Sequence, residues 1–163
     1  MKGHALDRGA AERLATGQST LAEFLGLGRE QLYEIAGRAY VLLNSGKLEE
    51  ALVIYRGLVA ADPTDSVFRC HLGAAELRRG RAAEAEAEFD ASLRFNRANV
   101  DALSGRGEAR LQLGRLVEAV EDLRAAVELD PQARRPSTLR ARALLVSLRQ
   151  AALRQKSGQN HPR

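Results

Sequence analysis

The chain is poor in the residues that staple or stiffen a fold: its 163 residues include one cysteine, four prolines, no tryptophan and only 4% aromatics. A single cysteine, Cys70, excludes an internal disulfide, and it forms no zinc-like cluster with His4, His71 and His161. A reduced, cytoplasmic setting without a cofactor or metal is therefore expected. No apolar run approaches the roughly 18 residues that cross a membrane. Asp7, Arg8, Glu12 and Arg13 stand where a secretory signal would need an apolar core. No β-rich segment competes with helix. There is no Gly-rich phosphate loop followed by Lys and Ser/Thr, and no Gly-x-Ser-x-Gly elbow, so an enzyme is not expected. The acid pairs Glu49–Glu50 and Glu121–Asp122 are sequence neighbours that point in different directions on a helix, and they read as solvated surface.

Acid is also missing from residues 132–163, which hold eight Arg or Lys and no Asp or Glu. The preceding residues carry 17 basic against 21 acidic side chains, so a net +4 chain is a mildly acidic body of −4 with a basic end.

What the chain does have is a repeat. Gly46, Gly80 and Gly114 recur every 34 residues, each followed five residues later by Ala51, Ala85 or Ala119 and nine residues later by Tyr55, Phe89 or Leu123. Pro63 and Pro131 stand 17 beyond the first and third glycines, with Arg97 in the middle copy. Each unit reads as two antiparallel helices. Leu103, Gly107 and Leu111 give the first helix of the third unit one close-packing face, on which Gly73 and Ala39 are the equivalents. Gly114 suits the left-handed residue that ends a helix. Leu116 to Leu129 then forms the return helix, with Ala119 at the crossing, and Asp130 and Pro131 close it.

A 34-residue period with this order of residues resembles the tetratricopeptide repeat. The resemblance implies an all-α, right-handed superhelix of three helix-turn-helix units at 32–65, 66–99 and 100–133. Residues 1–31 form an N-terminal helical segment: Ala5 to Ala15 as a helix, Thr16 to Thr20 as a break, and Leu21 to Leu25 as another turn or two. Arg29 to Ala36 leads into the first repeat helix. Residues 134–155 form a capping helix, opened by Pro136 and Ser137 with an apolar face of Leu144, Leu145, Leu148, Ala151 and Ala152, and 156–163 form a disordered basic tail. A sharper reading of this basic helix is a surface for nucleic acid, anionic lipid or an acidic protein, although interleaved aromatics are absent.

In tetratricopeptide proteins, set positions of each first helix line the concave face. Carried over, repeat one contributes Tyr33, Ala36, Gly37, Tyr40, Leu43 and Asn44. Repeat two contributes Val67, Cys70, His71, Ala74, Leu77 and Arg78. Repeat three contributes Asp101, Ser104, Gly105, Glu108, Leu111 and Gln112. This implied groove suits an extended peptide with hydrophobic anchors. Repeats that hold the acidic tails of heat-shock proteins use Lys, Asn and Arg where this chain has Ala36, Tyr40, His71, Asp101 and Gly105, so that clamp is missing. Cys70 reads as a small buried hydrophobe, and His71 as a polar residue without a ligand partner.

A narrower resemblance lies in Leu32-Tyr33-x-x-Ala36-x-x-x-Tyr40, then Ser45-Gly46-Lys47-Leu48-Glu49-Glu50-Ala51, Asp62-x-x-Asp65-Ser66 and Leu72-Gly73-Ala74. These look like the class II chaperones of bacterial type III secretion. That resemblance implies a cytoplasmic chaperone that holds a hydrophobic translocator segment in its groove, with Tyr33 and Tyr40 lining its pockets, and that can dimerise through its N-terminal helices. A general scaffold in a protein complex is the other reading.

Overall fold

The computed structural model describes residues 8–159, and among these every regular element is a helix. Two short helices, α1 (Arg8–Ala15) and α2 (Leu21–Phe24), lead into α3 (Arg29–Asn44) and α4 (Leu48–Ala61). The second hairpin is α5 (Ser66–Arg78) with α6 (Ala82–Phe95), and the third is α7 (Val100–Gln112) with α8 (Leu116–Leu129). α9 (Pro136–Gln159) follows, running past residue 155, where the sequence reading ends the cap. His4, His161, the start of the predicted first helix and tail residues 160–163 lie outside the described residues.

The three hairpins bend at equivalent glycines. Gly46, Gly80 and Gly114 have φ of +83°, +81° and +75°, where a Cβ would clash with its own backbone. The next amide in each reaches back across the turn: Lys47 to the Leu42 carbonyl, Arg81 to Glu76 and Arg115 to Arg110, at 2.9, 3.0 and 2.8 Å. This closes each first helix in the same Schellman geometry. Beyond the return helices, Asp65 accepts from the Val67 and Phe68 amides and Asn99 from Ala102, capping α5 and α7.

Helix contacts are made through missing side chains. Tyr55, Phe89 and Leu123, at one repeat position, are at most 1% exposed. Phe89 enters between α5 and α7, where a Cβ on Gly105 would lie 2.3 Å from its Cζ and one on Gly73 3.0 Å from its ring. Leu123 sits likewise against Gly107, whose Cβ would come within 2.8 Å. Ala51, Ala85 and Ala119 at the crossings are fully buried. Gly105 is thus a packing residue and not part of the exposed groove lining expected of it.

Two apolar cores result. One joins α2, α3, α4 and the inner side of α5 through Leu32, Leu52, Tyr55, Phe68 and Leu72. The other joins α5, α6, α7, α8 and α9 through Phe89, Leu103, Leu123 and Ala141. Between the second and third hairpins, charge joins the apolar packing. Asp122 accepts from both Arg106 and Arg110 at 2.6 to 2.8 Å, Arg106 also reaches Asp90 at 2.6 Å, and Glu86 accepts from Arg110 and Arg115 at 2.6 to 2.8 Å. The Asp122 side chain is 6% exposed, which corrects its reading as solvated surface. Desolvation alone would lower the Arg106 pKa, but its hydrogen bonds to Asp122 and Asp90 raise it instead.

α9 covers the end of the array. Thr138 and Ala141 are fully buried, and Leu144, Leu145 and Leu148 pack on the second core. Asp130 anchors its start by accepting from the Thr138 hydroxyl at 2.7 Å and from the Arg134 and Arg135 amides. No helix among the described residues is long and apolar enough to cross a membrane.

The packing account separates two glycine substitutions that propensity alone would treat alike. Gly105→Ala must displace Phe89 and is expected to destabilise by about 1–3 kcal/mol. Gly37→Ala lies on exposed α3 with nothing within 4 Å of the added Cβ, and it is expected to stabilise by roughly 0.5–1 kcal/mol. Urea unfolding of both variants checks this, and shifts of the same sign would refute it.

Candidate functional site

The concave positions of the three first helices do not share one fate. On α3 and α5 they leave an open surface. The Tyr40 ring is 52% exposed and lies 6.2 Å from the His71 ring, which meets Tyr55 edge-on at 5.3 Å. Arg78 crosses from α5 to α3, donating to the Leu43 carbonyl at 3.1 Å and to Asn44 Oδ1 at 3.3 Å. Ala74 and Leu77 are half-buried beside it against the second core, with Val67 half-buried at the start of α5. The surface therefore offers an aromatic face, a guanidinium and an amide over an apolar floor. Under this surface, the buried Tyr55 Oη and His71 Nδ1 have no hydrogen-bond partner among the described residues. Desolvation lowers the His71 pKa, against the opposing pull of Asp101 and Asp65, so the ring is neutral at pH 7.

On α7 the corresponding positions are taken by the chain itself. Arg135 pairs with Asp101 at 2.6 Å, and the Ser137 hydroxyl also donates to Asp101. Ser104 is fully buried and donates to the Ser137 carbonyl at 2.9 Å, while Arg140 pairs with Glu108 at 3.2 Å. Leu111 packs half-buried on the second core, and Gln112 remains exposed. Ser104 is thus an internal anchor of α9 and corrects its place among exposed groove contacts. Leu43 and Cys70, 7% and 5% exposed, are also core residues, as is Ala36 at 4%.

Tyr33 is set apart from Tyr40. Its hydroxyl donates to Asp65 at 2.9 Å, its ring packs 5.1 Å from Phe68, and the Arg29 guanidinium lies 5.5 Å over it. It lines a separate cleft of about 740 Å³ with Leu27, Arg29, Phe68 and Phe95, where α3 and α5 start. Sequence reasoning missed Tyr55 as the floor beneath His71, and it missed Asp65, which both caps α5 and holds Tyr33. The spacing of Asp65 and Asn99, one before each following helix, was the available signal.

The paired helices stack in the fold of tetratricopeptide-repeat proteins, and residues 70–134 match the family model described as tetratricopeptide repeat. The chain is 35% identical over 88 residues to human RNA polymerase II-associated protein 3, covering 54% of this chain and 13% of that protein. The chain thus spans about an eighth of the length of the curated relatives it matches. Among solved structures, the first repeat domain of Spaghetti (RPAP3) bound to the HSP90 peptide SRMEEVD superposes with a TM-score of 0.68 at 27% identity, covering 77% of this chain and 96% of that one. The Yersinia enterocolitica type III secretion translocator chaperone SycD superposes at 0.69 with 26% identity, covering 79% and 98%.

Cys70 tests the core assignment directly. Burial pushes its thiol up to about 12. Ellman's reagent at pH 8 is expected to react roughly 100-fold more slowly with the folded chain than with the chain in urea. Equal rates would return Cys70 to the exposed surface.

Proposed function

We propose that this module is a cytoplasmic, non-enzymatic chaperone that holds an extended apolar segment of a protein client across α3 and α5, as a type III secretion translocator chaperone does. The half-exposed Tyr40 ring beside His71 carries this reading. It presents an aromatic face over an apolar floor, and such anchors dominate the binding of extended segments. Tyr40, His71, Ala74, Leu77, Asn44 and Arg78 are the proposed contacts, with Val67 and Leu111 at the margins. Client capture replaces water on these side chains, while Arg78 and Asn44 remain available to main-chain amides. Pairing of two copies through the N-terminal helices belongs to the same proposal.

The match to RNA polymerase II-associated protein 3 favours a second reading, an adaptor within a protein complex. The groove speaks against an acidic C-terminal peptide as its ligand. Of the five positions where a carboxylate clamp would stand, Ala36 and Gly105 are buried, Tyr40 and His71 are uncharged, and Asp101 is an acid paired with Arg135. None of these five positions offers an incoming carboxylate a cation.

Titration with fluorescent SRMEEVD peptide and retention of the client from native lysate distinguish these readings. The chaperone reading expects no saturable SRMEEVD binding below about 1 mM. It also expects at least a tenfold loss of client retention in Tyr40→Ala with unchanged circular dichroism. Retention by the folded variant would remove the groove mechanism, and micromolar SRMEEVD binding would establish the adaptor reading.

A further inference from the structure

α9 is apolar on two opposite faces, and the cap uses only one. Ala141, Leu144, Leu145 and Leu148 turn inward onto α7 and α8. Leu139, Val146 and Leu153 are 57%, 55% and 55% exposed. Their spacing of seven places them on one line, and Ala143 and Gln150, each four residues after one of them, complete a seam with the 3.5-residue period of a coiled coil. Leu139, Val146 and Leu153 then hold the d positions, and Ala143 and Gln150 hold the a positions. Arg142 and Arg149 border the seam on one side, and Arg140 and Arg154 on the other. Arg140 reaches Glu108 and Arg142 reaches the Pro131 carbonyl, yet both remain exposed.

The flanking charges select the occupant. Residues 132–163 contain no Asp or Glu, so a second copy docking through the same face would set arginine against arginine on both borders. A phosphate backbone or lipid headgroups would satisfy the arginines, but a line of large apolar side chains at heptad spacing fits another helix. We propose that the outer face of α9 docks an amphipathic helix of another protein, one with apolar residues in heptad register and Glu or Asp on both borders. The surface is preformed, because the inner face of α9 is fixed to the array, so the chain orders no new helix on binding. The seam from Leu139 to Leu153 spans about 22 Å of α9, or about two heptads. This surface lies outside the groove proposed for the client, and its test is independent of that reading.

The probe is a fluorescein-labelled 21-residue peptide with Leu at its a and d positions and Glu at e and g, titrated into the full chain. A control peptide carries Lys at e and g. The Glu-flanked peptide is expected to bind at micromolar concentration, to weaken at least tenfold in Val146→Glu, and to outbind the Lys-flanked peptide at least tenfold. In the triple variant Arg142→Glu, Arg149→Glu, Arg154→Glu the peptide preference is expected to reverse, with helicity unchanged by circular dichroism. All three side chains are exposed; Arg142→Glu also gives up the bond to the Pro131 carbonyl, and unchanged helicity shows that the fold survives that loss. Equal binding of both peptides, or Glu-peptide binding untouched by Val146→Glu, overturns the proposal. Vesicles of phosphatidylcholine with 30% phosphatidylserine provide a second arm, in which binding that is lost in Val146→Glu while the Glu-flanked peptide fails to bind would assign the face to membrane. Sedimentation that shows a dimer abolished by Val146→Glu would assign it to a second copy and likewise overturn the proposal.

Discussion

Phe89 is wedged between two helices that could not approach it if either carried a side chain at the point of contact. Gly73 and Gly105 form the two walls of that slot, and a methyl on Gly105 would overlap the ring outright. One aromatic side chain of the second hairpin therefore touches both its own first helix and that of the next hairpin. The stacking of one unit on another is fixed by the same contact that folds the unit. Leu123 on Gly107 repeats the arrangement within the third hairpin, and Tyr55 occupies the matching place in the first. Because interiors are packed at near-crystalline density, such a contact has little slack, and the spacing of the first helices, hence the width of any groove between them, follows from it.

Charge lies directly beside this apolar contact. Asp90, Arg106 and Asp122 adjoin Phe89, Gly105 and Leu123 in sequence, and with Glu86, Arg110 and Arg115 they hold the same stretch of the interface. Burying these groups costs desolvation energy that their mutual attraction only partly offsets, so the network adds less net stability than its number of bonds suggests. What it does impose is register. A slide of one hairpin against the next would leave a carboxylate buried without its partner, an arrangement that costs about 3–5 kcal/mol. The apolar wedge sets how close the hairpins lie, and the paired charges set where along their length they meet.

The parts legible in the sequence were those in which one residue type has one physical use. Gly46, Gly80 and Gly114 could be placed at bends because a positive φ after a helix is open to glycine at little cost, and the small residues at crossings followed from their period. Asp122 was misread because a carboxylate on a helix is usually solvated, and only the neighbouring α7, which brings Arg106 and Arg110, makes it an interior group. Ser104 and Gly105 were misplaced for a related reason. A groove position is exposed only if nothing covers it, and neither the seating of α9 on α7 nor the reach of Phe89 can be read from repeat spacing.

The seating of α9 gives the array a direction. Its first turns occupy the concave side of α7 through Arg135, Ser137 and Arg140, so the third hairpin serves as a floor for the cap while the first two keep their concave side open. A helix placed this way satisfies Asp101 and Glu108 internally, which removes the acidic end from the groove and leaves it aromatic and mildly basic at Tyr40 and Arg78. The same placement turns Leu139 and Val146 outward, because a helix whose inner stripe is spent on capping must present its other stripe to solvent. The docking of one helix thus determines both what the groove retains and what the opposite surface exposes.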